Sequence, residues 1–210
     1  MAWTASDTIF LVEDRLPWPD DGPLPDKGGQ FERGTVLAGG GRYACTIRKI
    51  STVGTTVTVN LPEAQGARVA LEIATGQRPT GSVAWRKGGQ IGICFDRPID
   101  VFALINRSLV SQPAERRRMP RVELRCPLHL RSGGQTEPAM LRNISAGGLQ
   151  VEGDHLPPMG TFVSPFIDGL VVPSGEVVWR HGQLAGVELL EELSWTSIMP
   201  WIRSRMPKTS

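Results

Sequence analysis

The sequence predicts an all-β fold built twice: two tandem small antiparallel barrels or sandwiches, each ending in a helix. Three observations predict it. Residues 48–95 laid on 142–189 without a gap, an offset of 142 − 48 = 94, agree at 15 of 48 positions. The matched pairs include Arg48/Arg142, Ile50/Ile144, Ser51/Ser145, Gly54/Gly148, Gly66/Gly160, Pro79/Pro173, Trp85/Trp179 and Gly92/Gly186. An ungapped match of this length means two copies of one fold. Second, the runs "TTVTVNL" and "ARVALEI" alternate, and "GSVAWR" and "GEVVWR" start after glycine. Short alternating runs punctuated by glycine and proline are the signature of small antiparallel sheets. Third, Val101, Phe102, Ile105 and Leu109 fall at helical spacing, as do Trp195, Ile198 and Ile202.

The elements follow in order. Residues 1–30 hold four prolines (Pro17, Pro19, Pro23 and Pro25) with Asp20, Asp21 and Asp26, which predicts an extended, poorly ordered arm. The first copy takes residues 31–110, a linker runs over 111–121, and the second copy spans 115–206, overlapping that linker. Asp100 and Ser194 occupy equivalent positions before the two helices, and both residue types are good N-caps. Pro200 is expected to kink or shorten the second helix.

Composition bounds the partners. Apolar residues make up 40% and charged residues 21%, with a formal net charge of +2. Such a balance demands neither a nucleic-acid polymer nor a membrane, so any electrostatic site must come from local clustering. Cys45, Cys94 and Cys126 are odd in number and unpaired in spacing, which suits a reducing cytoplasm and gives no zinc pattern. His129, His155 and His181 lack metal-ligand spacing. No stretch reads as a membrane span or signal peptide. No nucleophile triad, carboxylate pair or metal cluster suggests an enzyme.

Two stretches remain that core packing does not require. "ERRRMPR" puts Arg116, Arg117 and Arg118 in a row with Arg121 three residues on, and Pro120 biases Met119 toward extended backbone. Alone, a charge run is a solvated surface. "RNISAGG", residues 142–148, is polar at Asn143 and Ser145 and ends in Gly147 and Gly148. Alone, it is a turn in which Asn and Ser bond their own backbone and the glycines permit positive φ.

In order and at this separation, the two stretches resemble the PilZ domain. That family's pattern is R-x-x-x-R followed by (D/N)-x-S-x-x-G. Arg117 and Arg121 match the first motif, and Asn143, Ser145 and Gly148 match the second. The resemblance covers residues 115–192, and the repeat carries it, weakly, to 33–100. It implies tandem barrels of about six strands each, and a receptor for cyclic di-GMP with no further cofactor. It also implies roles. Arg117 and Arg121 would engage guanine O6 and N7 or phosphate, assisted by Arg118 and Arg116. Asn143 would approach the polar edge of a guanine with Ser145 beside it, and Gly147 and Gly148 would leave room for the ligand. Trp179 has two readings: a barrel-wall aromatic, since Trp85 repeats it, or a stacking surface.

The first copy has Lys49 in place of Asn143, and its leading segment holds Arg33 but no R-x-x-x-R. It is therefore expected to keep the fold without binding nucleotide. A mobile arginine linker between two barrels would let ligand change their geometry and signal to a protein partner. The rivals are an interaction module that binds no nucleotide and a barrel binding single-stranded nucleic acid. The latter would call for aromatic platforms that one tyrosine and six phenylalanines scarcely provide.

Overall fold

The computed structural model describes residues 8–18, 32–73, 76–111 and 120–205, with backbone alone for 108–111. The chain divides into two compact units, residues 1–121 and 122–210. In the first lie β1 (Ile9–Leu11), β2 (Glu32–Ala38), β3 (Gly41–Ile50), β4 (Gly54–Thr58), β5 (Arg68–Ile73), β6 (Thr80–Lys87), β7 (Gln90–Phe95) and α1 (Val101–Ser111). The second barrel comprises β8 (Arg121–Ser132), β9 (Gln135–Ser145), β10 (Gly148–Glu152), β11 (Phe162–Ile167), β12 (Gly175–His181) and β13 (Leu184–Leu189), followed by α2 (Trp195–Ser204).

Each copy closes into a six-stranded antiparallel barrel. In the first, the order β3-β2-β5-β6-β7-β4 returns to β3. In the second, β9-β8-β11-β12-β13-β10 returns to β9. The orders are identical under the 94-residue offset, and two of the irregularities recur, whereas the shift in β8 between Glu123 and Cys126 has no counterpart in the described part of β2. A bulge sits at Arg48 and at Arg142, and another at Ala84 and at Val178. Full closure removes sheet edges, which explains how such short strands stay paired. Tight hairpins set the register: Gly39–Gly40 joins β2 to β3 with φ of 54° and 81°, the left-handed pair that a two-residue turn demands.

The alternation read in the sequence becomes the barrel interior. Val36, Ile47, Val57, Leu71, Val83 and Ile91 fill the first core, and Val122, Leu141, Ile144, Val151, Val177 and Val187 the second. Burying each such side chain contributes about 1.5–3 kcal/mol against the entropy of ordering it. The identical pairs Val57/Val151 and Val83/Val177 are therefore fold-bearing.

Both expected caps are in place. Asp100 Oδ1 accepts from Ala103 N at 3.0 Å, and Ser194 Oγ accepts from Thr196 N at 3.3 Å. Pro200 does not stop α2, which runs four residues further, to Ser204. Ile198, Met199, Trp201 and Ile202 hold that helix down by their buried faces, and Trp201 Nε1 donates to Asp168 O at 2.8 Å.

The expected poorly ordered arm needs correction over residues 8–18. Thr8 through Val12 are buried, β1 pairs in parallel with β3 (Ile9 with Lys49, Phe10 with Ile50), and Thr8 Oγ1 donates to Ile47 O at 2.7 Å. The prolines that suggested disorder begin only at Pro17, while the apolar run Ile9–Val12 upstream gains more by burial than it loses in ordering. Residues 1–7 and 19–31 lie outside the described residues.

Candidate functional site

One cross-strand row on the second barrel gathers the polar groups that its core excludes. Glu123 on β8 faces Asn143 on β9, Asn143 faces Gln150 on β10, Gln150 faces Gly186 on β13, and Gly186 faces Trp179 on β12. Residues directly opposite in an antiparallel sheet project to one face. Val122, Ile144, Leu149 and Val187, the neighbours along each strand, fill the interior, so the row belongs to the outer wall.

The row is nonetheless well shielded from water. Glu123, Asn143 and Gln150 are 7%, 4% and 8% exposed. Asn143 Nδ2 donates to Gln150 Oε1. Of the two amides' remaining groups, Asn143 Oδ1 is an acceptor and Gln150 Nε2 a donor, a set that complements a donor and an acceptor on a heterocycle edge. Trp179 lies half-buried with its indole packed against Gly186, and a Cβ there would overlap the ring. Gln150 and Glu123 were not singled out from the sequence. Their signal was available: each is a polar residue flanked on both sides by buried apolar ones, Gln150 in "GLQVE" and Glu123 in "RVELR".

The structure sorts the remaining expected residues. Ser145 Oγ donates to Gly148 O at 3.3 Å, closing the β9–β10 hairpin, as Ser51 Oγ does to Gly54 O at 3.2 Å. Gly148 does not have positive φ; its missing side chain leaves room for Val187 O on β13, which a Cβ would approach to 2.7 Å. The space attributed to a ligand at Gly148 thus belongs to a neighbouring strand. Gly147 is exposed, with open space where a Cβ would stand. Arg121 is exposed and opens β8, one residue before Val122, whose partner is Ile144. Arg116, Arg117 and Arg118 lie outside the described residues.

The other repeated arginines are structural. Arg142 Nη1 pairs with Glu152 Oε2 at 2.7 Å across the bulge, and Arg180 Nη1 donates to Leu156 O at 2.6 Å, fixing the loop before β11. Among the described residues, no group of three or more His, Cys, Asp or Glu is placed to hold a metal ion. Nor is any helix among them long and apolar enough to cross a membrane.

A model of the PilZ domain matches residues 115–197, spanning both sequence motifs and all six of the barrel's strands. Residues 115–197 form a PilZ domain. Solved structures to which the chain is similar include PlzA of Borreliella burgdorferi in complex with c-di-GMP, at 10% identity over 80% of this chain and 85% of that one, TM-score 0.32. The inhibitor of motility MotI/DgrA of Bacillus subtilis aligns at 13% identity over 85% and 98%, TM-score 0.30. YcgR of Escherichia coli in complex with c-di-GMP aligns at 13% identity over 82% and 81%, TM-score 0.26. No curated protein matches the chain. The row from Glu123 to Trp179 lies within the PilZ domain, and the first barrel repeats that domain's strand order outside the matched region.

Proposed function

We propose that the PilZ domain is a non-catalytic receptor for cyclic di-GMP, with the arginine motif and the Asn143 row as the two halves of the site. The observation that carries this reading is the pairing of R-x-x-x-R, at Arg117 and Arg121, with a shielded amide pair, Asn143 and Gln150, in one domain. Guanine offers O6 and N7 to a guanidinium fork, and the dinucleotide's phosphates take charge-assisted bonds from further arginines. Arg116 and Arg118 assist in that role. Ser145 holds the turn in shape, exposed Gly147 leaves backbone within reach, and Gly148 lets β13 close behind it. Trp179, packed onto Gly186, supplies an aromatic surface at the far end of the row.

Chain order suggests the output. The arginine motif precedes β8 directly and follows the first barrel, so nucleotide that gathers these arginines alters the geometry between barrels and thereby a surface for a protein partner. Calorimetry with cyclic di-GMP tests binding. Arg117→Ala or Arg121→Ala should each weaken it by about 1–3 kcal/mol, the worth of one bidentate contact to a base. Unchanged affinity in both variants would refute the site. Small-angle scattering tests the output, and identical profiles at saturation would remove the switch while leaving the receptor.

A further inference from the structure

The first barrel carries the same outer row, and there it is covered. Lys49 on β3 faces Thr56 on β4, Thr56 faces Gly92 on β7, and Gly92 faces Trp85 on β6. At the 94-residue offset these are Asn143, Gln150, Gly186 and Trp179. Across this row lies the segment Asp14–Trp18. Thr52 Oγ1 donates to Asp14 Oδ1 at 2.5 Å, and Thr56 Oγ1 donates to Pro17 O at 3.0 Å. Leu16 Cδ1 fills the space beside Gly54, the counterpart of Gly148. The ring of Trp18 stacks on Trp85, with centroids 6.0 Å apart and planes 14° from parallel. Lys49 and Thr56 are 1% and 0% exposed, and Trp85 Nε1 is buried without a hydrogen bond.

We propose that the first barrel retains the repeat's ligand face as a peptide-binding site, and that its ligand is the chain's own segment Asp14–Trp18. The chemistry parallels what the second row would offer a nucleotide. An indole is a flat bicyclic ring that stacks on an aromatic partner much as a purine base does. A backbone carbonyl meets the polar group in mid-row, and a carboxylate binds at the turn, where Thr52 is its donor. Pro17 presets the backbone, so little freedom is lost on docking. A nucleotide can reach this row only by displacing the segment, which adds a steric block to the missing arginine motif.

The test uses the full chain with Leu16→Ser and Trp18→Ser, which empties the face while leaving β1 in place. A dye-labelled peptide of residues 12–20, VEDRLPWPD, is titrated by fluorescence anisotropy. The expected result is saturable binding of one peptide per chain to the double variant. Binding to the native chain should be about a hundredfold weaker or more, because a tethered segment competes at high effective concentration. Equal binding to both proteins, no binding to a folded double variant, or undiminished binding by a peptide carrying Trp18→Ala would each overturn the proposal. Should the double variant fail to fold, Trp18→Ala alone serves, since that side chain is half in solvent. Trypsin should then cut the Arg15–Leu16 bond faster than in the native chain, and an unchanged rate contradicts the proposal. Affinity for cyclic di-GMP should stay the same in Trp18→Ala, so this proposal and the receptor reading fail separately.

Discussion

Asn143 and Lys49 occupy one structural position and cannot do the same work. An amide shares its oxygen and nitrogen between a neighbour and a ligand; a fully buried ammonium only donates and must stay partnered. Glycine makes a second residue-scale point. Gly186 exists because Trp179 lies on it, so Gly186→Ala should force the indole outward and destabilise the second barrel by about 1–3 kcal/mol, as overpacking does. Chemical denaturation monitored by tryptophan fluorescence checks this. The cysteines divide by environment: burial pushes the Cys45 thiol up to about 11, whereas Cys94 is exposed. Iodoacetamide on the native protein should therefore modify Cys94 first, read by peptide mass spectrometry, with Cys45 reacting only on unfolding. The role of Ser145 was legible as turn chemistry. That of Gly148 was not, because the glycine answers to a carbonyl 39 residues away on another strand, and no local pattern encodes that approach.

At the scale of elements, period-two alternation and glycine punctuation marked four strand runs and helical spacing marked two helices, while the count of about six strands per copy came from the family resemblance and the repeat. What escaped was β1. Three residues are too few for periodicity to speak, and proline-rich sequence downstream outweighed them in the reading; only the parallel pairing with β3 reveals their place. Cross-strand rows escaped for the same reason as the Gly148 contact, since Glu123, Asn143 and Gln150 meet through register and not through spacing. One clasp ties three strands of the first barrel. Asp96, just after β7, accepts two bonds from Arg68 on β5, at 2.7 and 2.5 Å, and one from Thr80 on β6 at 2.7 Å. Those bonds, Arg68's foremost, hold its carboxyl down to about 2. A carboxylate that titrates lower when folded adds stability that is complete above its ordinary value, roughly 4, and fades as pH falls toward the folded value. Asp96→Asn should therefore flatten the fall of Tm between pH 4 and pH 2 relative to the native chain, as followed by circular dichroism.

For the whole molecule, duplication followed by divergence explains more than either barrel alone. The fold was kept in both copies by the same core valines, the same Trp-on-Gly contact and the same two bulges. The outer row was not: one copy has an amide pair and an arginine motif leading into it, the other a buried lysine and a strap of its own chain. Sequence alone could announce the duplication and the loss of the motif in the first copy. It could not show that the vacated face is filled, because the strap and the row lie far apart in the chain and share no pattern. The most direct test of this division of labour is amide hydrogen exchange with and without saturating cyclic di-GMP. Protection should appear over residues 115–123 and along β9 and β10, and be absent from β3 and β4. Protection centred on β3 and β4, or none anywhere at saturation, would contradict it.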